Sequence, residues 1–182
     1  MRFDEKEITL EDGRKCLFKP CTPEYSADMI EYMEKTAGET EYLLRYPDEI
    51  DYTLEGEQKM LSDILESSDS LMMVALVDGK VAGNSSINGM GPKRKLKHRC
   101  TLSIALYEEF WELGIGTALI EYMTELSVKH GWNQMDLEVV ADNERAKALY
   151  KKCGFIESGR RHNALLFDDG TYHDEILMYK PL

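Results

Sequence analysis

Polar and apolar residues alternate from Ile8 to Thr22 around the turn Glu11-Asp12-Gly13-Arg14, which predicts an opening strand or hairpin. The pattern then changes period. After the start signal Thr22-Pro23, Met29, Ile30, Tyr32 and Met33 recur at helical spacing, so a first helix runs to about Gly38. A polar stretch containing Arg45-Tyr46-Pro47-Asp48 leads to a second helix from Thr53 to about Ser67, with Leu54, Met60, Leu61, Ile64 and Leu65 as its buried set. Leu71–Val77 and Val81–Asn88 read as a hairpin, because Asp78-Gly79-Lys80 places Asp-Gly between two apolar, strand-forming runs.

Beyond the hairpin, Gly89-Met90-Gly91-Pro92 and the basic run Lys93–Arg99 form a loop, and Cys100–Tyr107 is an apolar strand. Gly114–His130 is an amphipathic helix with Leu119, Tyr122, Met123 and Leu126 inward, stopped by Gly131. Met135–Ala141 is the next strand, and Asp142 or Asn143 caps a helix that passes Tyr150 and Cys153 and ends at Gly154. Ile156–Leu166 and Tyr172–Tyr179 close the chain as an antiparallel pair around Asp168-Asp169-Gly170. This order of elements predicts an α/β fold: a mixed sheet with helices on both faces.

Composition narrows the class. The chain has 182 residues, 43% of them hydrophobic and 31% charged, with no repeat or linker, and is expected to form a single domain over residues 1–182. Apolar runs such as Leu71–Val77 fall far short of the ~20 residues of a membrane span. The charged start Met1–Glu7 has no apolar signal core, so a cytoplasmic location is expected. Cys16, Cys21, Cys100 and Cys153 are scattered without metal-ligand spacing, and they read as buried thiols with no metal site. A net charge of −12 disfavours nucleic acid. It favours a cationic partner or serves solubility alone, and the basic run Lys93–Arg99 is a single solvated loop or a local anion contact.

Glu108-Glu109-Phe110-Trp111-Glu112-Leu113-Gly114-Ile115-Gly116 joins a buried strand to a long helix through two close glycines. Glycine lets backbone N–H groups face an anion, and a helix N-terminus adds unpaired donors and partial positive charge, so the segment suits a phosphate or pyrophosphate. Alone, it is equally a tight turn without a ligand. A dinucleotide fingerprint needs glycine where Leu119 stands, and no Walker sequence occurs.

The segments L-S-I-A-L, W-E-L-G-I-G-T-A-L and L-E-V-V-A-D-N-E-R-A-K-A-L-Y-K-K-C-G-F, together spanning about residues 100–156, resemble the GNAT acetyltransferase superfamily. The resemblance implies a mixed, mostly antiparallel sheet of six to seven strands and acetyl-coenzyme A as co-substrate. The family's pyrophosphate motif, [QR]-x-x-G-x-[GA], falls on Trp111, Glu112, Leu113, Gly114, Ile115 and Gly116, with Thr117 following. Trp111 departs from the polar residue at the first position. The resemblance further implies that the main chain of Ile104, Ala105 and Leu106 pairs with pantetheine and that an amide near Leu106 polarises the thioester carbonyl. It adds Asn143, Ala146 and Tyr150 to the cofactor site, with Tyr150 as general acid toward the departing thiolate. By their types alone, Asn143 is a helix cap and Tyr150 a core residue.

Glu138 lies between Leu137 and Val139, and strand alternation turns it away from both. A lone acid in such a strand either meets solvent at an edge or is kept near a site, where burial prepares a base. Its spacing to Tyr150 is similar to that of GNAT enzymes that acetylate protein N-termini, which implies Glu138 as the base, directly or through water. The acceptor implied is a primary amine taken by direct attack. Glu39, Glu41, Asp48, Glu49 and Asp51 crowd the connection between the first two helices and suit a cationic one: a polyamine, a peptide N-terminus or a small-molecule amine. Tyr42, Tyr46 and Tyr52 line a pocket there or pack the loop. Cys153 has no nearby His to activate it, which argues against an acyl-cysteine route. The alternative is a non-catalytic acetyl-coenzyme A-binding regulatory module, and a homodimer through the closing strands is compatible with either.

Overall fold

The computed structural model describes every residue from Met1 to Leu182. Its strands are β1 (Lys6–Thr9), β2 (Lys15–Pro20), β3 (Ser70–Val77), β4 (Lys80–Gly89), β5 (Arg99–Leu106), β6 (Gln134–Val140), β7 (Ile156–Leu166) and β8 (Tyr172–Pro181). The helices are α1 (Ser26–Glu39), α2 (Leu54–Glu66), α3 (Ile115–His130) and α4 (Glu144–Lys152). The sheet runs β1-β2-β3-β4-β5-β6-β8-β7. β1/β2, β2/β3, β3/β4, β6/β8 and β7/β8 pair antiparallel, while β5 and β6 pair parallel. The mixed, mostly antiparallel α/β class is the one read from the sequence.

There are eight strands rather than six to seven, because the opening residues form a complete hairpin. Gly13 takes φ +88° and donates to the Leu10 carbonyl at 3.0 Å, while Leu10 N–H reaches the Arg14 carbonyl at 2.8 Å. That turn brings Lys6–Thr9 into register with Lys15–Phe18. The β3–β4 turn follows the Asp-Gly signal, with Asp78 at φ 51° and Gly79 at φ 77°, the conformation that matches strand twist. β3 is buried from Leu71 to Val77. Ala75 pairs with Gly83 and Leu76 with Val81, so Ala82 is the extra residue of a bulge in β4.

Two compact units make up the chain, Met1–Asn88 with Ser103–Met123, and Gly89–Leu102 with Thr124–Leu182; β5 and α3 each contribute to both. In the first, Phe18, Met29, Tyr32, Leu61, Met73 and Ile87 are almost wholly buried. In the second, Cys100, Met135, Leu137, Val139, Phe155 and Met178 form the interior. All four cysteines are buried free thiols. No helix is long and apolar enough to cross a membrane.

The inner row of α2 differs from the sequence expectation. Thr53 caps the helix by accepting from Gly56 N–H at 3.1 Å, and the buried positions are Glu57, Leu61 and Leu65, four apart, while Leu54 is largely exposed. Glu57 is 1% exposed, its Oε1 has no hydrogen-bond partner, and burial raises its pKa. The folded state therefore holds this proton more tightly than the unfolded chain does. The resulting stability is fully present below the ordinary carboxyl pKa and is lost as pH rises through the elevated value. Glu57→Gln is accordingly expected to melt above the parent at about pH 8, by about 2–4 °C for each kcal/mol released, with the gap closing toward about pH 4. Thermal melts at the two pH values check this.

Candidate functional site: a strand end, a glycine turn and a helix start

β5 supplies the first part of the site. Its ladder with β6 covers Arg99–Gln134, Cys100–Met135 and Thr101–Asp136, and from Leu102 onward β5 takes no part in it. A strand edge of this kind offers backbone N–H and C=O groups to a ligand that extends like another strand. Ile104, Ala105 and Leu106 are only half-buried, so they are not core residues in the sense their apolar type suggests. β4 closes on this strand end through Gly83. A Cβ there would lie 2.6 Å from the Ala105 carbonyl oxygen, 3.0 Å from Leu106 Cα and 2.3 Å from Leu106 Cδ2. Beside it, the bulged Ala82 accepts from Tyr107 N–H at 3.0 Å.

The link to α3 is built from short local bonds. Phe110 N–H reaches the Tyr107 carbonyl and Trp111 N–H the Glu108 carbonyl, both at 3.0 Å, closing a single 3-10 turn over buried Phe110. Glu39 on α1 accepts from Glu108 N–H at 2.8 Å, and Lys35 bridges Glu39 and Glu109. Glu39, read from sequence as a partner for a cationic acceptor, is thus engaged in holding this loop. Tyr32 meets Tyr107 edge-on at 5.0 Å, and Lys35 lies 4.2 Å from the Tyr107 ring centre. Trp111, where the motif departs from Gln or Arg, turns its indole N–H back onto the Leu106 carbonyl at 3.0 Å. It ties the turn to the strand end instead of presenting a polar side chain.

Glu112 at φ 61° and Gly114 at φ 85° are both left-handed and exposed. Left-handed residues set among right-handed ones gather successive N–H groups into a concave donor surface. α3 follows at once, with Ala118 N–H bonded to the Gly114 carbonyl at 3.1 Å, so Ile115, Gly116 and Thr117 carry the leading donors of the helix. Ile115 and Gly116 are buried, Leu113 and Thr117 half-buried. This arrangement fits a pyrophosphate: the leading backbone donors of α3 follow directly on Gly114, where a Cβ would meet nothing nearer than Glu11 Oε1 at 3.9 Å. Gly114→Val places a β-branched residue at φ 85°, a strain of about 1–3 kcal/mol, and fills the cradle. It is expected to weaken coenzyme A binding at least about tenfold in calorimetry, and unchanged affinity would remove the phosphate assignment.

The second unit carries the other sequence-predicted residues. Asn143 caps α4, its Oδ1 accepting from Ala146 N–H at 3.0 Å, which is the cap role its type suggests. Lys147 fastens the same turn to the Ala141 carbonyl at 2.5 Å and to Glu144 at 2.8 Å. Tyr150 is 8% exposed and meets Phe155 edge-on at 5.7 Å. Burial, then the neighbouring Cys153, pushes its phenol up to about 12. Glu138 faces away from buried Leu137 and Val139, as alternation predicts, but its side chain is 49% exposed and paired with Arg161. It is therefore not the buried acid that was one of the two readings open from sequence.

Sequence reasoning passed over Gly83, Arg161 and Glu175. Gly83 had a signal, a lone glycine inside a strand pattern, which marks close backbone approach. Arg161 and Glu175 had none, because only the register of β7 against β8 sets them opposite each other.

Residues 27–155 match the model of the acetyltransferase (GNAT) family. An N-alpha-acetyltransferase of Sulfurisphaera tokodaii is 34% identical over 129 residues, 65% of this chain and 73% of its own length. The ribosomal protein bS18 alanine N-acetyltransferase of Escherichia coli is 36% identical over 80 residues, 44% of this chain. That match spans about half, 53%, of the curated relative. A solved GNAT acetyltransferase from Streptococcus pneumoniae superposes with a TM-score of 0.87 at 25% identity, covering 92% of this chain and 99% of the other.

Proposed function

The chain belongs to the GNAT acetyltransferase family, and on that premise we propose that it moves the acetyl group of acetyl-coenzyme A to a primary amine by direct attack. One observation carries the reading: a strand whose ladder with β6 stops at Thr101 runs into left-handed Glu112 and Gly114 and then into the N-terminus of α3. The strand edge suits pantetheine, and the turn with the helix start suits the pyrophosphate. When bound, the co-substrate supplies an activated thioester.

The roles assigned to this chain's residues follow from their chemistry. Main-chain N–H groups of Glu112–Thr117 hold the phosphates, the backbone of Ile104–Leu106 holds pantetheine, and an amide near Leu106 meets the developing oxyanion. Asn143 and Ala146, joined at the start of α4 by the cap bond, are assigned to the cofactor as the family resemblance implies. Glu138, directly or through water, accepts the proton of the attacking amine as the C–N bond forms. Tyr150 gives its proton to the thiolate as the C–S bond breaks. A phenol held at about 12 keeps its proton at neutral pH. Against an ordinary thiol near ~8.5 the transfer is uphill in water, but burial that raises the phenol also raises a thiol leaving beside it.

The acceptor proposed is a cationic amine, a peptide N-terminus above a polyamine or another small amine, because the two curated relatives are named a ribosomal protein alanine N-acetyltransferase and an N-alpha-acetyltransferase. The net charge of −12 supports a cationic partner. A second copy across the outermost strand β7, exposed from Ile156 to Asn163, completes the proposal. Adding a cationic primary amine to the chain and acetyl-coenzyme A is expected to speed thiol release at least about tenfold over the amine-free rate. A rate independent of amine would contradict the reading.

A further inference from the structure

We propose that Arg161 is a positioning residue for Glu138, with Glu175 as the anchor that holds Arg161 in place; the assignment rests on the reading of Glu138 as the base of acyl transfer. The placement comes from strand register. Glu138 pairs with Leu177 and Val140 with Glu175 across β6 and β8, and Glu175 pairs with Arg161 across β8 and β7. Alternation puts Glu138, Glu175 and Arg161 on one face of three adjacent strands, opposite the face of buried Leu137 and Val139.

The guanidinium meets Glu138 as a fork, Nη2 to Oε1 at 2.9 Å and Nη1 to Oε2 at 3.2 Å, while Nη1 also donates to Glu175. Two parallel bonds fix the plane of a carboxylate as well as its distance. Each carboxylate oxygen has two lone pairs and the fork takes one from each, so one pair on each oxygen remains to accept a proton. Glu175 is the least exposed of the three, 15% against 49% for Glu138 and 50% for Arg161, which makes it the fixed end of the chain. Neighbouring charges are matched elsewhere: Asp136 with Arg99, Asp174 with Arg160 and His162, Asp142 with His173. Arg161 is thus the cation that both Glu138 and Glu175 use, and without it two carboxylates share one face with no counter-charge.

An exposed ion pair adds little to stability, so a purely structural Arg161 would leave both melting temperature and turnover nearly unmoved. The positioning role separates from that in steady-state kinetics of the full chain with acetyl-coenzyme A and a primary amine that the parent acetylates. Arg161→Gln is expected to lower kcat about tenfold or more, with the KM for acetyl-coenzyme A within about twofold of the parent. Arg161→Lys keeps the charge without the fork, so it should recover only part of kcat. Parent-like kcat in Arg161→Gln would overturn the assignment while leaving acyl transfer standing. Should that variant fail to fold, parent-like kcat in Arg161→Lys overturns it equally. A parent chain that acetylates no amine takes down the acyl-transfer reading and this assignment together.

Discussion

Tyr150→Phe is expected to lower kcat by about 10²–10⁴-fold, the range for loss of a positioned general acid, while acetyl-coenzyme A affinity stays within about twofold. The substitution removes one oxygen and leaves the ring, which packs edge-on against Phe155 at 5.7 Å in a site only 8% exposed. The interior of the second unit should therefore hold, and because a phenol with its pKa up at about 12 is neutral at neutral pH, the change removes no charge. The deficit should belong to the step in which the thiolate leaves. An acetyl donor with a more acidic thiol needs that proton less, so the variant's deficit should shrink with such a donor. Unchanged kcat would remove Tyr150 from the mechanism, and an equal loss of cofactor affinity would make it a binding residue.

Gly83→Val carries the second large effect, at the β5 strand end. Its Cβ would meet the Ala105 carbonyl oxygen at 2.6 Å, a backbone atom that no rotamer change can withdraw. β5 must then shift exactly where Ile104, Ala105 and Leu106 present their main chain to the proposed pantetheine. Overpacking of this kind costs about 1–3 kcal/mol, or about 2–4 °C of melting temperature per kcal/mol in a chain of this size. Cofactor affinity is expected to fall at least about tenfold. Gly159→Ala is the matched control: a Cβ there finds Leu177 Cδ1 at 3.6 Å, ordinary contact, and its melting temperature should stay near the parent's. Normal coenzyme A affinity in Gly83→Val would detach the β5 strand end from the site.

Local signals made much of this legible in the sequence. Asp78-Gly79 announced the β3–β4 turn, and the glycines at 114 and 116 announced the start of α3, because turns and helix starts are decided by a few adjacent residues. Strand alternation also set the direction of Glu138 correctly. What the sequence withheld depends on distant parts of the chain. The Arg161–Glu138 fork requires β7 and β8 to pair with register shifts at Glu157/Gly159 and Arg161/Leu165, which no local pattern specifies. Glu57 was passed over because a charged side chain in a first helical turn reads as a solvated one, whereas the row Glu57-Leu61-Leu65 turns it inward. At Trp111 the departure from the family motif was visible, but its bond to the Leu106 carbonyl was not, since that depends on how the turn folds back.

Acyl transfer to an amine is the central claim, and mass spectrometry of a primary-amine panel incubated with the chain and acetyl-coenzyme A tests it most directly. The panel should hold a peptide with a free N-terminus, the same peptide with its N-terminus blocked, a polyamine and a neutral small amine. The account predicts gain of one acetyl group on the free N-terminus, none on its blocked twin, and loss of the product with Tyr150→Phe. Saturable coenzyme A binding with no acetylated product from any amine would contradict it.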